Sequence, residues 1–295
     1  MRTQDLARLV ALAAMWGASY LFMRYAVPYF GPVWMIEMRL LLGGAALGAF
    51  VLLSGGSIGW RSHWRPWLFV GVIGTAVPFL LIAQAVTVID ASTAAILNSL
   101  SPLFASIVAA VWIREPVTAT KAAGIGLCLV GTAVLVGWTP TPMTGRELLA
   151  AAMSVGATAI YGFVIVYAKV KLKGASPIGT AAGTLLLAAA AVVPVLPAAG
   201  PLPASLPGMA WLALLGLALV STTVAFIFYY RLIADVGPVK AVTVTLLVPV
   251  FGMVWGVMFL GEPVTPGRIA GCAIILSGCA LILGLVKFPY RHAAS

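Results

Sequence analysis

Two amides and one charge pair are the side chains of this sequence best placed to act on a small molecule. Asn98 is its sole asparagine, and Gln84 and Gln4 are its glutamines. Gln84 lies six residues before Asp90 and Asn98 eight after it. If the chain turns at Asp90, both amides sit about 9–12 Å below one boundary, at 1.5 Å per residue, on adjacent antiparallel helices. Amides at that depth either bond each other or hold the carboxylate or ammonium of a zwitterion, and both readings stay open. Ser101, one turn past Asn98, extends the polar face. Glu37 and Arg39 are the close charge pair inside an apolar run. Two residues apart on a helix they point to different faces. Glu37, one turn from the start of its helix, can reach the interface, and Arg39 needs a partner at depth. Both are expected in gating or structural roles.

Rings and hydroxyls recur at helical spacing elsewhere. Trp16, Ser19 and Tyr20 follow i, i+3, i+4, and Ser154, Thr158 and Tyr161 follow i, i+4, i+7. Thr75 with Phe79, Thr222 with Phe226, and Thr243 with Thr245 add three more such groups. This mixture suits an amphipathic small molecule. The expected substrate contacts are therefore Trp16, Tyr20, Phe79 and Gln84 from the first part of the chain. Asn98, Ser101, Thr158 and Tyr161 follow, with Phe226 and Thr245 near the end. Taken singly, such residues are also ordinary core filler. Trp34, Trp64, Trp67, Trp138 and Trp211 lie near helix ends and read as interface anchors. Nothing points to catalysis: His63 and His292 stand apart, and no phosphate loop, nucleophile constellation or metal spacing occurs. No cofactor is called for. Cys128, Cys272 and Cys279 lie in apolar runs as small packing residues.

The elements that must position these groups follow from composition. The 295 residues are 62% hydrophobic and 8% charged, with a mean hydropathy of +1.11. A soluble domain keeps roughly a quarter of its residues charged. The chain is thus read as an integral membrane protein, with no second soluble domain. Apolar runs without period-2 alternation exclude a barrel and leave helices. Runs of about 20 apolar residues fall near 6–26, 33–53, 66–88, 91–113, 121–138, 147–168, 177–197, 208–233, 238–260 and 267–286. Residues 6–26 resemble a signal peptide, but the Ala13–Met15 pattern returns at Ala151–Met153, so a first membrane helix is the better reading. Of the 17 Lys and Arg residues, 13 fall on one side of this ten-helix arrangement. Arg24, Arg146 and Arg268 fall on the other, and Arg39 falls within the membrane. The positive-inside rule then places both termini in the cytoplasm. The same rule accounts for the formal charge of +10, and nucleic acid is not expected as a partner.

The sequence also repeats itself. "REPVTATKAAGIGLCLVG" at 114–131 returns 147 residues later as "GEPVTPGRIAGCAIILSG". The same offset aligns 64–137 with 211–284 without a gap, pairing Thr75 with Thr222, Phe79 with Phe226, Pro102 with Pro249 and Glu115 with Glu262. Each unit, 1–140 and 141–295, holds five helices. Because five is odd, the second enters the membrane upside down, the architecture of carriers that rock around a site between their halves. Pro102 and Pro249 are expected as paired hinges. Thr118 and Thr265, which close each "EPVT", read as N-caps of the helices that follow. Glu115 and Glu262 read as structural latches at opposite ends. The glycines that follow them read as close-packing faces.

Ten helices, a 5+5 inverted repeat and the paired "EPVT" motifs resemble the EamA-type exporters of the drug/metabolite transporter superfamily, and within it the YddG-like amino-acid exporters. The resemblance spans essentially the whole chain. It implies export of small neutral or zwitterionic metabolites, amino acids foremost and aromatic ones among them, from a bacterial inner membrane. A bilayer and a small solute are the partners it calls for. Oligomeric state is left open, and a monomer is compatible. Efflux of hydrophobic drugs or dyes, or a pore or scaffold without turnover, are the alternatives.

Overall fold

A backbone in hydrocarbon has no water to bond, so its N–H and C=O groups must be paired within the chain. In the computed structural model, which describes residues 2–138, 142–172, 174–237 and 241–285, no strand occurs among those residues. Seven helical stretches are long and apolar enough to cross a membrane. They are α1 (Thr3–Leu53), α2 (His63–Ala85), α3 (Ala91–Trp112), α4 (Ala119–Gly137), α5 (Gly145–Lys171), α6 (Pro177–Ala199) and α7 (Gly208–Val236). Two shorter apolar helices follow, α8 (Val244–Leu260) and α9 (Pro266–Ile282). The expected runs at 6–26 and 33–53 both fall in α1, which breaks at Gly31, where φ is +68°. Trp16 packs on Phe226 and Arg39 bonds Thr222, one turn apart on α7. A straight helix would hold Trp16 and Arg39 about 35 Å apart. The chain therefore folds back at Gly31, a backbone conformation glycine adopts without steric cost. Part of the expected 238–260 run, residues 238–240, lies outside the described residues, as do Lys173, Lys287 and Arg291 of the charge count.

The most extensive packing joins α4 to α9, and small residues make it possible. A Cβ on Gly124 would lie 2.7 Å from the Gly278 carbonyl, and one on Gly271 would lie 3.0 Å from that of Gly131. The pairing of 124 with 278 and 131 with 271 means the two helices run antiparallel. Between the glycines, Cys128 Sγ reaches the Ile275 carbonyl at 3.7 Å. Residues 128 and 275 are themselves equivalent by the 147-residue offset, so the contact has two-fold character.

The two "EPVT" corners share their backbone as well. Glu115 N–H donates to Ala109 C=O and Glu262 N–H to Gly256 C=O, both at 3.1 Å and both six residues back. Each corner turns through a left-handed residue, Gly261 (φ +63°) in one and Arg114 (φ +54°) in the other. Thr118 and Thr265 accept from Lys121 N–H and Arg268 N–H as the caps that open α4 and α9.

The carboxylates differ. Glu262 is buried and accepts from Ala91 N–H at 2.7 Å, Ser92 N–H at 3.0 Å and the Ser92 hydroxyl, so it caps the N-terminus of α3. Arg268 on α9 pairs with Asp90 beside it. These ties, with Tyr25 donating to Phe259 C=O at 2.8 Å and Arg24 to Val86 C=O, close one end of the bundle. At the other end Glu115 pairs with Lys121 at 2.7 Å and Lys169 at 3.5 Å, and Arg8 pairs with Asp235, in partly exposed surroundings. The two lysines hold the Glu115 carboxyl below the usual carboxylate range. Residues 238–240, the repeat counterparts of the helix start that Glu262 caps, lie outside the described residues. Trp67 corrects an expectation. It is 1% exposed and packs on Gly183 inside the bundle, whereas Trp64, Trp138 and Trp211 are exposed.

Gly278→Leu drives a side chain into the Gly124 backbone and is expected to abolish monodisperse protein in detergent gel filtration. Gly126→Leu, where nothing lies within 4 Å, is expected to leave the profile unchanged. Glu262→Ala leaves buried amides without an acceptor and is expected to cost about 2 kcal/mol or more in detergent denaturation, with Glu262→Gln intermediate. Arg114→Gly relieves a left-handed non-glycine residue and is expected to stabilise the protein by about 1 kcal/mol in the same assay.

Candidate functional site

The site is organised by a break in α3. Pro102 has no N–H, so the carbonyl four residues back, Asn98 C=O, loses its helical partner. The last regular residue before the break is Asn98, and the helix resumes at Ser101. Ser99 N–H and Leu100 N–H close tight turns onto Ile96 C=O and Leu97 C=O, and side chains bond the carbonyls around the gap. Ile96 C=O accepts from the Ser99 hydroxyl at 2.6 Å, Leu97 C=O from Thr158 at 3.4 Å, and Asn98 C=O from Ser101 at 3.0 Å. Ser99 C=O takes the Cys279 thiol of α9 at 3.1 Å. With its backbone thus satisfied, the break presents the Asn98 side chain inward, where its Oδ1 is buried and unpartnered.

Asn98 looks into a cavity of about 460 Å³. Trp16, Ser19 and Tyr20 line it from α1, Thr75 and Phe79 from α2, and Tyr161 from α5. Phe226 of α7, Thr245 of α8 and Ser101 complete the expected residues that reach it. The repeat is visible in the wall, since 74 and 221, 79 and 226, 98 and 245, and 101 and 248 are all lining pairs at the 147-residue offset. The walls from α2 and α7 each carry a wide π-turn, Val72–Ala76 and Gly216–Val224. In each, a threonine bonds the carbonyl five residues back. Thr75 donates to Val70 C=O at 3.3 Å, and Thr222 to Leu217 C=O at 2.9 Å. Such bulges push residues off the regular helical face and often mark functional positions. Toward Leu172 and Thr180 the cavity extends to the end where α5 gives way to α6, opposite the end that Glu262 ties shut.

Two expected contacts are not in the wall. Gln84 is exposed, so it neither lines the cavity nor meets Asn98. It faces away from the cavity on α2. Thr158 is fully buried and bonds Ser154 C=O at 2.8 Å besides Leu97 C=O, so it supports the break rather than facing the cavity. Thr245 lines the wall with its hydroxyl committed to Val242 C=O at 2.8 Å. Pro249 lies within α8, continuous over Val244–Leu260, and the turn at Val242 and Thr243 stands further upstream of it than the break does of Pro102.

Arg39 is the larger surprise. It lines the cavity at 7% exposure. Its Nε donates to Thr222 at 3.1 Å, and the guanidinium carbon stands 3.9 Å from the centre of the Phe79 ring. Glu37 is also buried, at 5% exposure, rather than reaching the interface. It forms no ion pair among the described residues. No carboxylate lines the cavity among those residues, so Arg39 is its lone formal charge. The sequence held one clue, a cation deep in an apolar run with no partner at helical spacing. Ser221, Tyr230 and the α6 contribution, Thr180 and Thr184, had no distinguishing signal.

The chain matches the EamA-like transporter family twice, over residues 6–137 and 148–284. Among similar proteins is a transporter of Archaeoglobus fulgidus, 24% identical over 93% of this chain and 97% of its own. The inner membrane transporter YedA of Escherichia coli is 26% identical over 96% and 92%. A protein of Chlamydia trachomatis named as an S-adenosylmethionine/S-adenosylhomocysteine transporter is 24% identical over 92% and 86%. A solved crystal structure superposes with a TM-score of 0.67 over 95% of this chain and 96% of the other, at 22% identity, which speaks to the fold. With both matches together spanning nearly all of its length, the chain belongs to the EamA-like transporter family and is a multi-pass transporter of the inner membrane.

Proposed function

We propose that this transporter exports small neutral or zwitterionic metabolites, amino acids foremost, by alternating access. The observation that carries the reading is the central cavity. It lies across both halves of the repeat, mixes aromatic rings with hydroxyls and an amide, and is tied shut at one end only. Counting α1 as two crossings either side of Gly31, with α2 to α9, gives ten, five in each of units 1–140 and 141–295. The antiparallel contact of α4 with α9 at equivalent residues supports an inverted relation between those units. Both termini in the cytoplasm follows from the lysine and arginine distribution. In that orientation the cavity extends toward the cytoplasmic end, where an exporter loads. Pro102 and the break it imposes are the natural hinge of the first half. The rings favour solutes with a planar or apolar tail over fully polar ones. The solutes for which the chlamydial relative is named combine an amino-acid head with an aromatic base, and a cavity of this composition suits that combination too.

Proteoliposomes loaded with unlabelled L-phenylalanine are expected to accumulate labelled L-phenylalanine saturably and by counterflow. Val248→Trp, which fills the cavity from α8, is expected to abolish that flux while the protein stays monodisperse. Non-saturable flux without counterflow would mean a pore. Movement of a lipophilic dye but no amino acid would mean drug efflux.

A further inference from the structure

The guanidinium of Arg39 is unusual in how little of its bonding capacity is used. Its side chain is buried at 7% exposure, yet among the described residues it makes one hydrogen bond, from Nε to Thr222. Arginine has five N–H donors in a planar fork. The four terminal ones have no protein partner here, and the cavity they face contains no carboxylate among the described residues. A buried cation of this kind is costly unless an anion or water completes it. Thr222 and the Phe79 ring instead fix the orientation of the fork, from one edge and one face. That is how a protein prepares a guanidinium for a planar oxyanion, which it grips through two parallel N–H bonds.

A second unsatisfied group stands nearby with the opposite demand. Asn98 Oδ1 is a buried acceptor without a donor. The Tyr20 hydroxyl faces both Asn98 and Arg39, so the two groups share one neighbourhood of the cavity. A donor-rich cation and an orphan acceptor side by side match a carboxylate and an ammonium borne on neighbouring atoms. Beyond them, Trp16 and Phe226 meet edge to face at 6.4 Å, an apolar wall for the rest of the molecule.

We propose that Arg39 takes the carboxylate and Asn98 Oδ1 the ammonium of the transported solute, so that the cavity selects the α-amino-acid head group and reads the carboxylate most strictly. This rests on the cavity being the transport site. The strictness follows from charge, because an unmet buried guanidinium costs more than an unmet amide oxygen. A solute without a carboxylate leaves the former bare.

Four compounds of nearly one shape test it: L-phenylalanine, 3-phenylpropionate, phenethylamine and 3-phenylpropanol. Binding is read on purified protein in detergent by thermal shift, which needs no transport. L-Phenylalanine is expected to stabilise the protein most, 3-phenylpropionate next, and the amine and alcohol least. Arg39→Gln is expected to weaken L-phenylalanine about ten- to a hundredfold and to remove its advantage over phenethylamine. Asn98→Ala is expected to remove its advantage over 3-phenylpropionate while keeping that over phenethylamine. Phe226→Leu is expected to weaken all four alike. Stabilisation of the wild-type protein by phenethylamine or 3-phenylpropanol as strongly as by the two carboxylates would overturn the proposal, and so would no stabilisation by either carboxylate. Both readings use the unaltered protein, so a misfolded Arg39→Gln leaves the test intact. If the carboxylates bind through Arg39 but L-phenylalanine does not cross the bilayer, the head-group assignment stands and the transport reading alone is lost.

Discussion

Every polar backbone atom in the hydrocarbon needs a partner from the protein, and the site exists because one stretch of α3 meets that demand irregularly. Pro102 removes a donor, the helix parts between Asn98 and Ser101, and the Ser101 hydroxyl and the Cys279 thiol take the Asn98 and Ser99 carbonyls. The Ser99 and Thr158 hydroxyls reinforce the tight turns on Ile96 and Leu97. A free carbonyl in lipid costs several kcal/mol. The Ser99 carbonyl therefore depends on Cys279 of α9 for its partner. The same accounting explains the two π-turns, where Thr75 and Thr222 bond carbonyls that a regular helix would have used. Irregular backbone, satisfied by side chains from neighbouring helices, is what opens a cavity inside a bundle otherwise packed by alanine and glycine.

The duplicated halves supply matching walls and unequal chemistry. Equivalent positions face the cavity from both sides, yet their residues differ: Asn98 against Thr245, Ser101 against Val248, Gly74 against Ser221. Polar capacity is concentrated on the α3 side, while the α8 hydroxyl is bound locally. The equivalences therefore set the shape of the cavity, and the substitutions within them set its polar chemistry. The ends are unequal too. Glu262 is sealed onto a helix terminus, whereas Glu115 keeps two lysines in partly exposed surroundings. Buried ties of this kind resist opening more than exposed ion pairs do.

Much of this was legible in the residues. Apolar runs marked the helices to within a few positions, because hydrocarbon thickness fixes their length. The 147-residue offset anticipated the matched phenylalanines of the wall and the matched threonines of the two π-turns. "EPVT" anticipated the caps, since Thr118 and Thr265 stand where an N-cap must. Depth along a helix was legible, and direction around it was not. Gln84 and Asn98 were placed at similar depth, but Gln84 faces outward. Thr158 was placed on the right helix, but it turns toward a backbone defect that only the folded α3 creates. Arg39 was readable as a cation needing a partner. That its partner is Thr222, with the remaining donors free, depends on the π-turn in α7. Tertiary defects of this kind have no local signature.

The acceptor for the α3 N-terminus has a further implication for how the molecule is made. Ala91 and Ser92 receive their partner from Glu262, some 170 residues downstream. A ribosome adding about 5–20 residues per second leaves those amides uncapped for about ten seconds or more after they enter the bilayer. Ser99 C=O waits longer still, for Cys279. During biogenesis the first half is therefore a conditional structure, held in the membrane by its apolar length but completed only when the second half inserts. Chains truncated before residue 262 carry exposed polar backbone within the bilayer, the mark by which membrane quality control can tell an unfinished copy from a whole one.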